Sequence, residues 1–352
     1  MYKDYLVDFI IHENESIYKA GWQMWRNKTN LLVVNDDDKF VGIVGKKEVE
    51  NSFFGQEERL VADIMNRNPA RIIATPETDL YSAARNIFAD KGMQFIPVID
   101  EENNVVDMFS QQRAFFLRYY RERRLTRMNY AESIFRAVYQ AQQLGVKGFS
   151  VIEFGVAGGN GLVAAEFYAR EISRLSGIDI EVYGFDNATG LPKIKDLTKK
   201  EAAYMWFEGM FDVMDVDLLQ KRLRTAKLVL GDIEESLETF DEIYKPLPIG
   251  VMFVDVDCYE STCPILRYLE RNEKCFLPRI EIYFDDIVDA TDSIGEHLAI
   301  QEFNSRNDNI KILPEGSYVK TKVCFRYSHP LYDAPYEEAK AFTGCNYSLY
   351  TI

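Results

Sequence analysis

The sequence predicts an α/β protein in which a doubly wound, Rossmann-like parallel sheet follows a smaller α/β module. The chain has 352 residues, which exceeds one ordinary domain and indicates two. Residues 1–112 repeat one pattern of a helix and two strands. From residue 148 onwards, short apolar strands alternate with helices, as in parallel sheets covered by helices. We therefore place the two domains at residues 1–112 and 148–352, with a helical linker over 113–147.

The composition limits the partners and the compartment that we expect. The formal net charge is −15 and the isoelectric point about 4.8, which argues against nucleic acid, because phosphate binding depends on cationic surface. The sequence contains no run of about 18 apolar residues for a membrane span and no N-terminal signal-peptide pattern. The five cysteines are odd in number and include no C-x-x-C pair. We therefore expect neither a disulfide framework nor a zinc site, and a reducing cytoplasm.

The two copies of the N-terminal repeat have the same order of elements. Each copy has an amphipathic helix, a strand, an acidic turn and a second strand. The strands are predicted at residues 31–34 and 40–44 in the first copy, and at 95–99 and 105–109 in the second. The apolar helix faces are formed by Ile17, Ala20, Gly21 and Met24, and by Leu80, Ala83, Ala84 and Ile87.

This repeat resembles a tandem pair of CBS domains, a module that often binds adenosyl nucleotides in its central cleft. In that family a Ser or Thr and an Asp three residues later hold the nucleotide just after the second strand. The matching positions here are Gly45 and Glu48 in the first copy, and Ser110 and Arg113 in the second. Glu48 can accept hydrogen bonds from ribose hydroxyls, whereas Arg113 cannot. An adenine-nucleotide site and a structural or dimerising role both stay open, and the resemblance implies a homo-oligomer, most simply a dimer.

The linker is predicted to be helical, with Gly145 just past its end. It carries a basic run, formed by Arg118, Arg121, Arg123, Arg124 and Arg127. A solvated or interdomain helix face is the favoured interpretation of this run, and an anion site for a phosphorylated substrate is the alternative. One apolar face is expected to pack on the sheet that follows, at Tyr130, Ile134, Val138 and Ala141.

The segment from Val151 to Asp186 is predicted to form a strand, a glycine-rich turn, a helix and a second strand. The first strand ends near Glu153, and the turn contains Gly155, Gly158, Gly159 and Gly161. The helix presents an apolar face to the sheet and ends at Gly177, with the face formed by Leu162, Ala165, Ala169 and Ile172. Glycine in the turn lets a ligand approach the backbone with no Cβ in the way.

Two features of this turn favour S-adenosylmethionine over a dinucleotide. The glycines are spaced G-x-x-G-G-x-G rather than G-x-G-x-x-G. The Glu153 carboxylate would repel a pyrophosphate, but it suits the sulfonium and ammonium groups of S-adenosylmethionine. Asp186 is then expected to bind the ribose hydroxyls, and Asp232, at the end of a third strand over 226–232, the adenine amino group. An ordinary parallel-sheet turn without a cofactor is the alternative.

Two further strands, at residues 249–257 and 279–287, end in pairs of acids. These acids are Asp255 with Asp257, and Asp285 with Asp286. Strand ends meet at one edge of a doubly wound sheet, so the four carboxylates repel one another unless a cation binds. Oxygen ligands favour Mg²⁺ over zinc, and the alternative is that some of these acids cap helices. An alternating segment at 318–327 is predicted to close the sheet as an antiparallel strand.

Residues 148–305 resemble the macrocin O-methyltransferase family, which methylates sugar hydroxyls of macrolide and related antibiotics. The motifs that carry the resemblance are EFGV at the glycine turn, GFD and GLP at the next loop, and DVDCYEST, FDDI and GEHLAIQEF beyond it. The resemblance implies a class I methyltransferase in which Asp255, Asp285 and Asp286 hold magnesium and Asp257 is the general base. His297, in the helix after the acid pair, is a further catalytic candidate, although a lone helical histidine is more often structural.

The predicted function is therefore Mg²⁺-dependent methyl transfer from S-adenosylmethionine to a hydroxyl of a small-molecule or glycan sugar. The N-terminal module is not part of the antibiotic enzymes' usual plan, which favours glycan or nucleotide-sugar metabolism and control by an adenosyl ligand. The alternative is a non-catalytic adenosyl-nucleotide sensor or scaffold, which has no need of the four acids. A nicotinamide dehydrogenase is disfavoured by Glu153 and by the glycine spacing.

Overall fold

The computed structural model describes residues 4–27, 30–53, 59–91, 95–111, 115, 119, 126–193, 207–271, 273–287, 295–308, 310–314 and 345–351. The chain divides into two compact units, whose described residues lie before and after position 125. Both units combine helices and strands, and the second contains a mainly parallel sheet, which confirms the predicted fold class. Among the described helices, none has the length and apolar character needed to cross a membrane.

The first unit contains two three-stranded sheets built on one plan. In each sheet the first two strands are parallel and the last two are antiparallel. The first copy and the helix that follows it comprise a 3₁₀ helix Asp4–Phe9, β1 Ile10–His12, α1 Ile17–Asn27, β2 Leu31–Val34, β3 Phe40–Val44, α2 Lys46–Phe53 and α3 Val61–Ile64. The second copy comprises β4 Ile72–Ile73, α4 Leu80–Lys91, β5 Phe95–Ile99 and β6 Val105–Ser110.

One apolar cluster joins the two copies of the repeat. Leu32, Val34 and Phe40 of the first copy pack with Ile99 and Met108 of the second, and all five are buried. An isolated antiparallel bridge also pairs the acidic turns of the two copies. The two copies therefore share this cluster, while each also has an apolar cluster of its own.

The second unit is a seven-stranded sheet with helices between its strands. Its first half comprises α5 Met128–Leu144, β7 Gly148–Phe154, α6 Asn160–Ser176, β8 Asp179–Asp186, α7 Val216–Arg222 and β9 Lys227–Leu230. Its second half comprises α8 Ile233–Tyr244, β10 Ile249–Val254, α9 Tyr259–Tyr268, β11 Phe276–Phe284, α10 Gly295–Arg306, β12 Ile310–Pro314 and β13 Cys345–Thr351. The helix α5 lies in this unit, although the sequence assigned it to a linker.

The strand order across the sheet is β12-β13-β11-β10-β7-β8-β9. Strands β7 to β11 run parallel, and β13 runs antiparallel between β11 and β12. The chain starts in the middle with β7, moves outwards to β9 and returns to place β10 on the other side of β7. Sheets of this kind bind ligands where the order reverses, beyond the carboxyl ends of the strands. The closing strand predicted at 318–327 lies outside the described residues, whose antiparallel strand is β13.

The core of the second unit explains why these segments form strands and helices. Every residue of β7 and β10 is buried, as expected for parallel strands covered on both faces. The apolar faces predicted for α5 and α6 are buried as well. Both helices end at a glycine with a left-handed backbone, Gly145 with φ +68° and Gly177 with φ +70°.

The aromatic packing of α8 generates a stability prediction. Phe240 is fully buried, and its ring centroid lies 5.0 Å from those of Tyr183 and Phe185. We expect Phe240→Ala to lower the free energy of unfolding by about 3–5 kcal/mol, measured by urea denaturation followed by circular dichroism. Ile243 on the same helix is 67% exposed, so Ile243→Ala should change it by less than about 0.5 kcal/mol. Equal effects of the two substitutions would contradict this packing.

Candidate functional site

The carboxyl ends of β7 to β11 surround a cleft of about 480 Å³. All the predicted site residues line this cleft except Gly159 and His297. Those that line it are Glu153, Gly155, Gly158, Gly161, Asp186, Asp232, Asp255, Asp257, Asp285 and Asp286. Among the described lining residues, nine are acidic and two, Arg127 and Lys193, are cationic. The cleft is thus strongly acidic and favours a cationic ligand.

Glu153 is a buried acid with one oxygen unused. The hydroxyl of Tyr130 donates a hydrogen bond to Oε1 at 2.8 Å. Oε2 is buried and has no hydrogen-bond partner among the described residues. Burial raises the pKa of Glu153 to about 8, and the Tyr130 hydrogen bond and the positive charge of Arg127 oppose this rise. An unpaired buried carboxylate oxygen is costly, and a cationic ligand group would relieve that cost.

Two glycines of the turn are required by the packing of the chain itself. Gly155 and Gly159 have left-handed backbones, with φ +82° and +80°. A Cβ on Gly155 would lie 1.8 Å from the backbone oxygen of Asp255, and one on Gly159 would lie 2.3 Å from Cδ1 of Leu219. Gly159 is the N-cap of α6 and does not line the cleft. These glycines were expected to allow a ligand to approach, but close contacts within the protein already require them.

Asp186 and Asp232 hold backbone groups at the edge of the cleft. Oδ2 of Asp186 accepts hydrogen bonds from the N–H groups of Val156 and Ala157 at 2.8 and 2.9 Å. Its Oδ1 accepts one from the N–H of Ala188 at 2.7 Å. Asp232 caps α8, since its Oδ1 accepts from the second and third helical N–H groups at 2.9 and 3.3 Å. Their expected contacts with ribose and adenine stay predictions.

The fold brings together the three acids predicted to bind a metal. Oxygen atoms of Asp255, Asp285 and Asp286 lie within 4.8 Å of one another. Nη1 of Arg127 donates to Oδ2 of Asp255 at 3.3 Å, and the hydroxyl of Tyr283 donates to Oδ1 of Asp285 at 2.8 Å. Oδ2 of Asp286 is buried with no hydrogen-bond partner among the described residues. This all-oxygen donor set with an unpaired oxygen fits a hard divalent cation such as Mg²⁺.

Burial and crowding raise the pKa values of these acids. Burial, followed by the negative charge of Asp285, raises the pKa of Asp255 to about 7 and that of Asp257 to about 6. Burial and the neighbouring acids also hold the pKa of Asp286 well above its ordinary value. Asp257 has a left-handed backbone, with φ +60°. The site therefore holds protons near neutral pH that a bound cation would displace.

Three residues of this site were not predicted. Arg127 was assigned to a basic helix face and Tyr130 to an apolar one, and Glu296 lies in the GEHLAIQEF motif but was given no role. Glu296 is fully buried in the first turn of α10, and its Oε2 accepts a hydrogen bond from the N–H of Asp286 at 3.1 Å. The signal available for Tyr130 was a polar tip on an otherwise apolar face. His297, half-buried beside Glu296, does not line the cleft, and its catalytic role stays a prediction.

Comparison with known proteins assigns part of the first unit. Residues 61–115 match the family model of the CBS domain, which confirms that resemblance for the second copy of the repeat. No curated protein sequence matches the chain. The resemblance to macrocin O-methyltransferases stays a prediction.

Solved structures share low sequence identity with the chain. CBSX2 in complex with AMP is 20% identical and covers 32% of this chain and 88% of its own, with a TM-score of 0.29. The CBS domain pair of protein MJ0100, in complex with 5′-methylthioadenosine and S-adenosyl-L-methionine, is 18% identical over 32% of this chain and 89% of its own, with a TM-score of 0.28. CalS11, a calicheamicin methyltransferase, is 17% identical over 70% of this chain and 93% of its own, with a TM-score of 0.41.

The glycine turn generates a second prediction. A Cβ on Gly161 would lie 1.9 Å from Oε1 of Glu153, whereas a Cβ on Gly158 would have its nearest neighbour 3.9 Å away, at Val213. We expect Gly161→Ala to lower the free energy of unfolding by about 1–3 kcal/mol, because the buried acid must move. Gly158→Ala should change it by less than about 0.5 kcal/mol. Urea denaturation compares the two variants, and a larger loss for Gly158→Ala would contradict the geometry.

The raised pKa of Glu153 generates a third prediction. The folded pKa of about 8 exceeds the ordinary value of 4.5, so the folded state binds this proton more tightly. The resulting stability is present in full below about pH 4.5 and is lost as the pH rises to about 8. Gln keeps an acceptor for Tyr130 and does not titrate. We therefore expect Glu153→Gln to gain stability relative to wild type as the pH rises from about 5 to about 9.

Thermal unfolding across this pH range measures that difference. Glu238→Gln serves as the control, because Glu238 is exposed on α8 and should show a constant difference from wild type. A stability of Glu153→Gln relative to wild type that stays constant or falls with rising pH would contradict a buried, proton-binding Glu153.

Proposed function

We propose that the second unit is a Mg²⁺-dependent methyltransferase that moves a methyl group from S-adenosylmethionine to a sugar hydroxyl. The observation that carries this proposal is the presence, in one cleft, of three clustered carboxylates and of a buried acid with an unpaired oxygen. The clustered carboxylates suit a divalent cation, and the unpaired Glu153 suits a cationic donor. A non-catalytic adenosyl sensor would need Glu153 but not the cluster.

Asp255, Asp285 and Asp286 would hold Mg²⁺, which when bound supplies the charge that lowers the pKa of a coordinated hydroxyl. Two neighbours orient these ligands. The hydroxyl of Tyr283 donates to Asp285, and the Glu296 carboxylate accepts from the backbone N–H of Asp286. Such supporting contacts fix the direction in which a ligating oxygen points.

Four groups would bind S-adenosylmethionine, which supplies an electrophilic methyl group on a sulfonium. Glu153 balances the positive charge of the donor. The glycine turn leaves room beside it at Gly158, where an added Cβ would have its nearest described neighbour 3.9 Å away, at Val213. Asp186 and Asp232 accept hydrogen bonds from the ribose hydroxyls and the adenine amino group, with lone pairs that their backbone bonds leave free.

Asp257 acts as the general base. Its pKa of about 6 leaves it ionised at neutral pH, and it is still basic enough to accept a proton. It takes the proton that the acceptor hydroxyl loses as its oxygen gains the methyl group. The remaining rate enhancement comes from alignment of the acceptor within the cleft.

The acceptor proposed is a sugar hydroxyl, in a small molecule, a glycan or a nucleotide sugar. This choice rests on the family resemblance of the motifs DVDCYEST and FDDI. The first unit, whose residues 61–115 match the CBS domain model, is proposed to bind an adenosyl ligand that regulates the enzyme. In its first copy, Oε2 of Glu48 accepts a hydrogen bond from the N–H of Gly45 at 3.1 Å. This acid therefore also stabilises the backbone at the start of its own helix.

The metal assignment generates a fourth prediction. Asp285→Asn removes one charge from the cluster, so Mg²⁺-dependent methyl transfer to a panel of sugars should fall at least about 100-fold. Binding of S-adenosylmethionine, measured by calorimetry, should change less than about threefold, because Asp285 is not among the proposed donor contacts. Glu234→Gln is the matched control, since Glu234 lines the same cleft outside the cluster. Unchanged Mg²⁺ dependence in Asp285→Asn would overturn the metal site.

A further inference from the structure

The chain enters the second unit beside the acid cluster formed by Asp255, Asp285 and Asp286. The second unit begins at residue 125. Two residues later, Arg127 forms an ion pair with Asp255, with 3.3 Å between Nη1 and Oδ2. Among the described residues, Arg127 is the cation that pairs with this cluster. A residue next to the junction of the two units therefore supplies one positive charge to the proposed cation site.

The backbone just before Arg127 is fixed by a tyrosine of α6. The N–H of Thr126 donates to the hydroxyl of Tyr168 at 3.0 Å, and the same hydroxyl donates to the carbonyl oxygen of Thr126. Tyr168 is fully buried, so packing of its ring gives the hydroxyl a fixed position. We call these two hydrogen bonds the Thr126–Tyr168 clamp.

The backbone of Arg127 itself is strained. It has φ +48° and ψ +59°, a left-handed conformation that an arginine rarely adopts. Its carbonyl accepts a hydrogen bond from the N–H of Tyr130 at 3.0 Å, and its Nη1 donates to the hydroxyl of Tyr130 at 3.1 Å. Strain of this kind persists only where the surrounding contacts enforce it. The clamp on one side and Tyr130 on the other thus hold Arg127 against Asp255.

We propose that Arg127 is a tethered counter-ion that competes with a divalent cation for the acid cluster, and that the Thr126–Tyr168 clamp sets how strongly it competes. The guanidinium group and a bound cation repel each other, because both are drawn to the same carboxylates. The clamp keeps the guanidinium group at a high effective concentration beside Asp255. This inference rests on the proposed function, because it assigns the regulation of the proposed cation site.

Charge separates this role from that of a group that only orients a ligand. The hydroxyl of Tyr283 donates to Asp285 and is neutral, so it adds no repulsion towards a cation. Arg127 makes a similar contact with Asp255 but carries a full positive charge. A positive charge that close to a divalent cation should weaken its binding about 10-fold or more.

The place of the clamp in the chain gives the contact a regulatory meaning. Thr126 is the second residue of the second unit, and the chain that precedes it comes from the first unit. A displacement of the chain at this junction acts on the clamp first and on Arg127 next. Release of the clamp frees the guanidinium group from Asp255 and raises the affinity of the cluster for a cation.

Binding of Mn²⁺ to the full chain tests this inference without donor or acceptor. Mn²⁺ takes the same oxygen ligands as Mg²⁺, and electron paramagnetic resonance counts the free ion. Arg127→Gln removes the charge and keeps an amide donor, so Mn²⁺ should bind about 10- to 100-fold more tightly than in the wild type. Arg127→Lys keeps the charge and should stay within about threefold of the wild type.

A double-mutant cycle tests the clamp. Tyr168→Phe removes the clamping hydroxyl and should tighten Mn²⁺ binding about 3- to 10-fold. In the Arg127→Gln background the same substitution should change binding less than about twofold, because no charge remains to be held.

Two control variants and a folding check accompany the cycle. Tyr183→Phe also removes the hydroxyl of a fully buried tyrosine, one that does not line the cleft, and should keep the wild-type affinity. Lys193→Gln removes a cleft charge that is not paired with the acid cluster and should tighten binding less than about threefold. Circular dichroism confirms that each variant is folded.

Three outcomes overturn the inference. Unchanged or weaker Mn²⁺ binding in Arg127→Gln shows that Arg127 does not compete with the cation. Equal effects of Tyr168→Phe in both backgrounds show that the clamp does not act through Arg127. Equal tightening in Lys193→Gln and Arg127→Gln assigns the effect to the general charge of the cleft. In each case Mn²⁺ binding by the wild type leaves the proposed function standing, whereas no binding by either the wild type or Arg127→Gln overturns both.

Discussion

Carboxylates crowded at one edge of a sheet must be neutralised by protons or by cations, and this requirement governs the second unit. With pKa values of about 7 and 6, Asp255 and Asp257 are only partly protonated near neutral pH, so protons alone do not neutralise them. Arg127 supplies part of the charge from within the chain through its bond to Asp255. The buried Oδ2 of Asp286 receives no hydrogen bond from the described residues. A cleft in this state favours cations, because each bound cation would replace protons or relieve repulsion.

The topology of the sheet creates this crowding. The backbone N–H groups of Gly155, Asp255 and Asp285 each donate to a carbonyl of a neighbouring strand at 2.9 Å, so the hydrogen-bonded ladder continues past the strand ends. The side chains that follow are held side by side and cannot move apart cheaply. Gly155 has no Cβ, which allows β7 to end against the backbone oxygen of Asp255. The absence of a side chain at Gly155 thus permits the close approach of the ends of β7 and β10.

The parts of this molecule that follow from local pattern could be predicted from sequence. Apolar runs identified β7 to β11, and helices α5 and α6 end at the glycines expected. Strand-end positions also predicted which acids meet, because parallel strands end at one edge. Tyr130, Arg127 and Glu296 escaped prediction, since their roles depend on contacts between elements distant in sequence. A fully buried glutamate such as Glu296 violates the usual pattern of a helix, and such violations concentrate at functional sites.

Asp186 at the end of β8 and the glycine turn together disfavour phosphate. In dinucleotide-binding folds, the backbone N–H groups of this turn and the helix that follows bind the pyrophosphate. Here Oδ2 of Asp186 already accepts hydrogen bonds from the N–H groups of Val156 and Ala157. A phosphate would have to displace this carboxylate while facing the buried Glu153, and Coulomb repulsion opposes both. A donor without phosphate and with positive charge would meet neither obstacle, so the electrostatics of this turn favour a sulfonium and an ammonium group over a pyrophosphate.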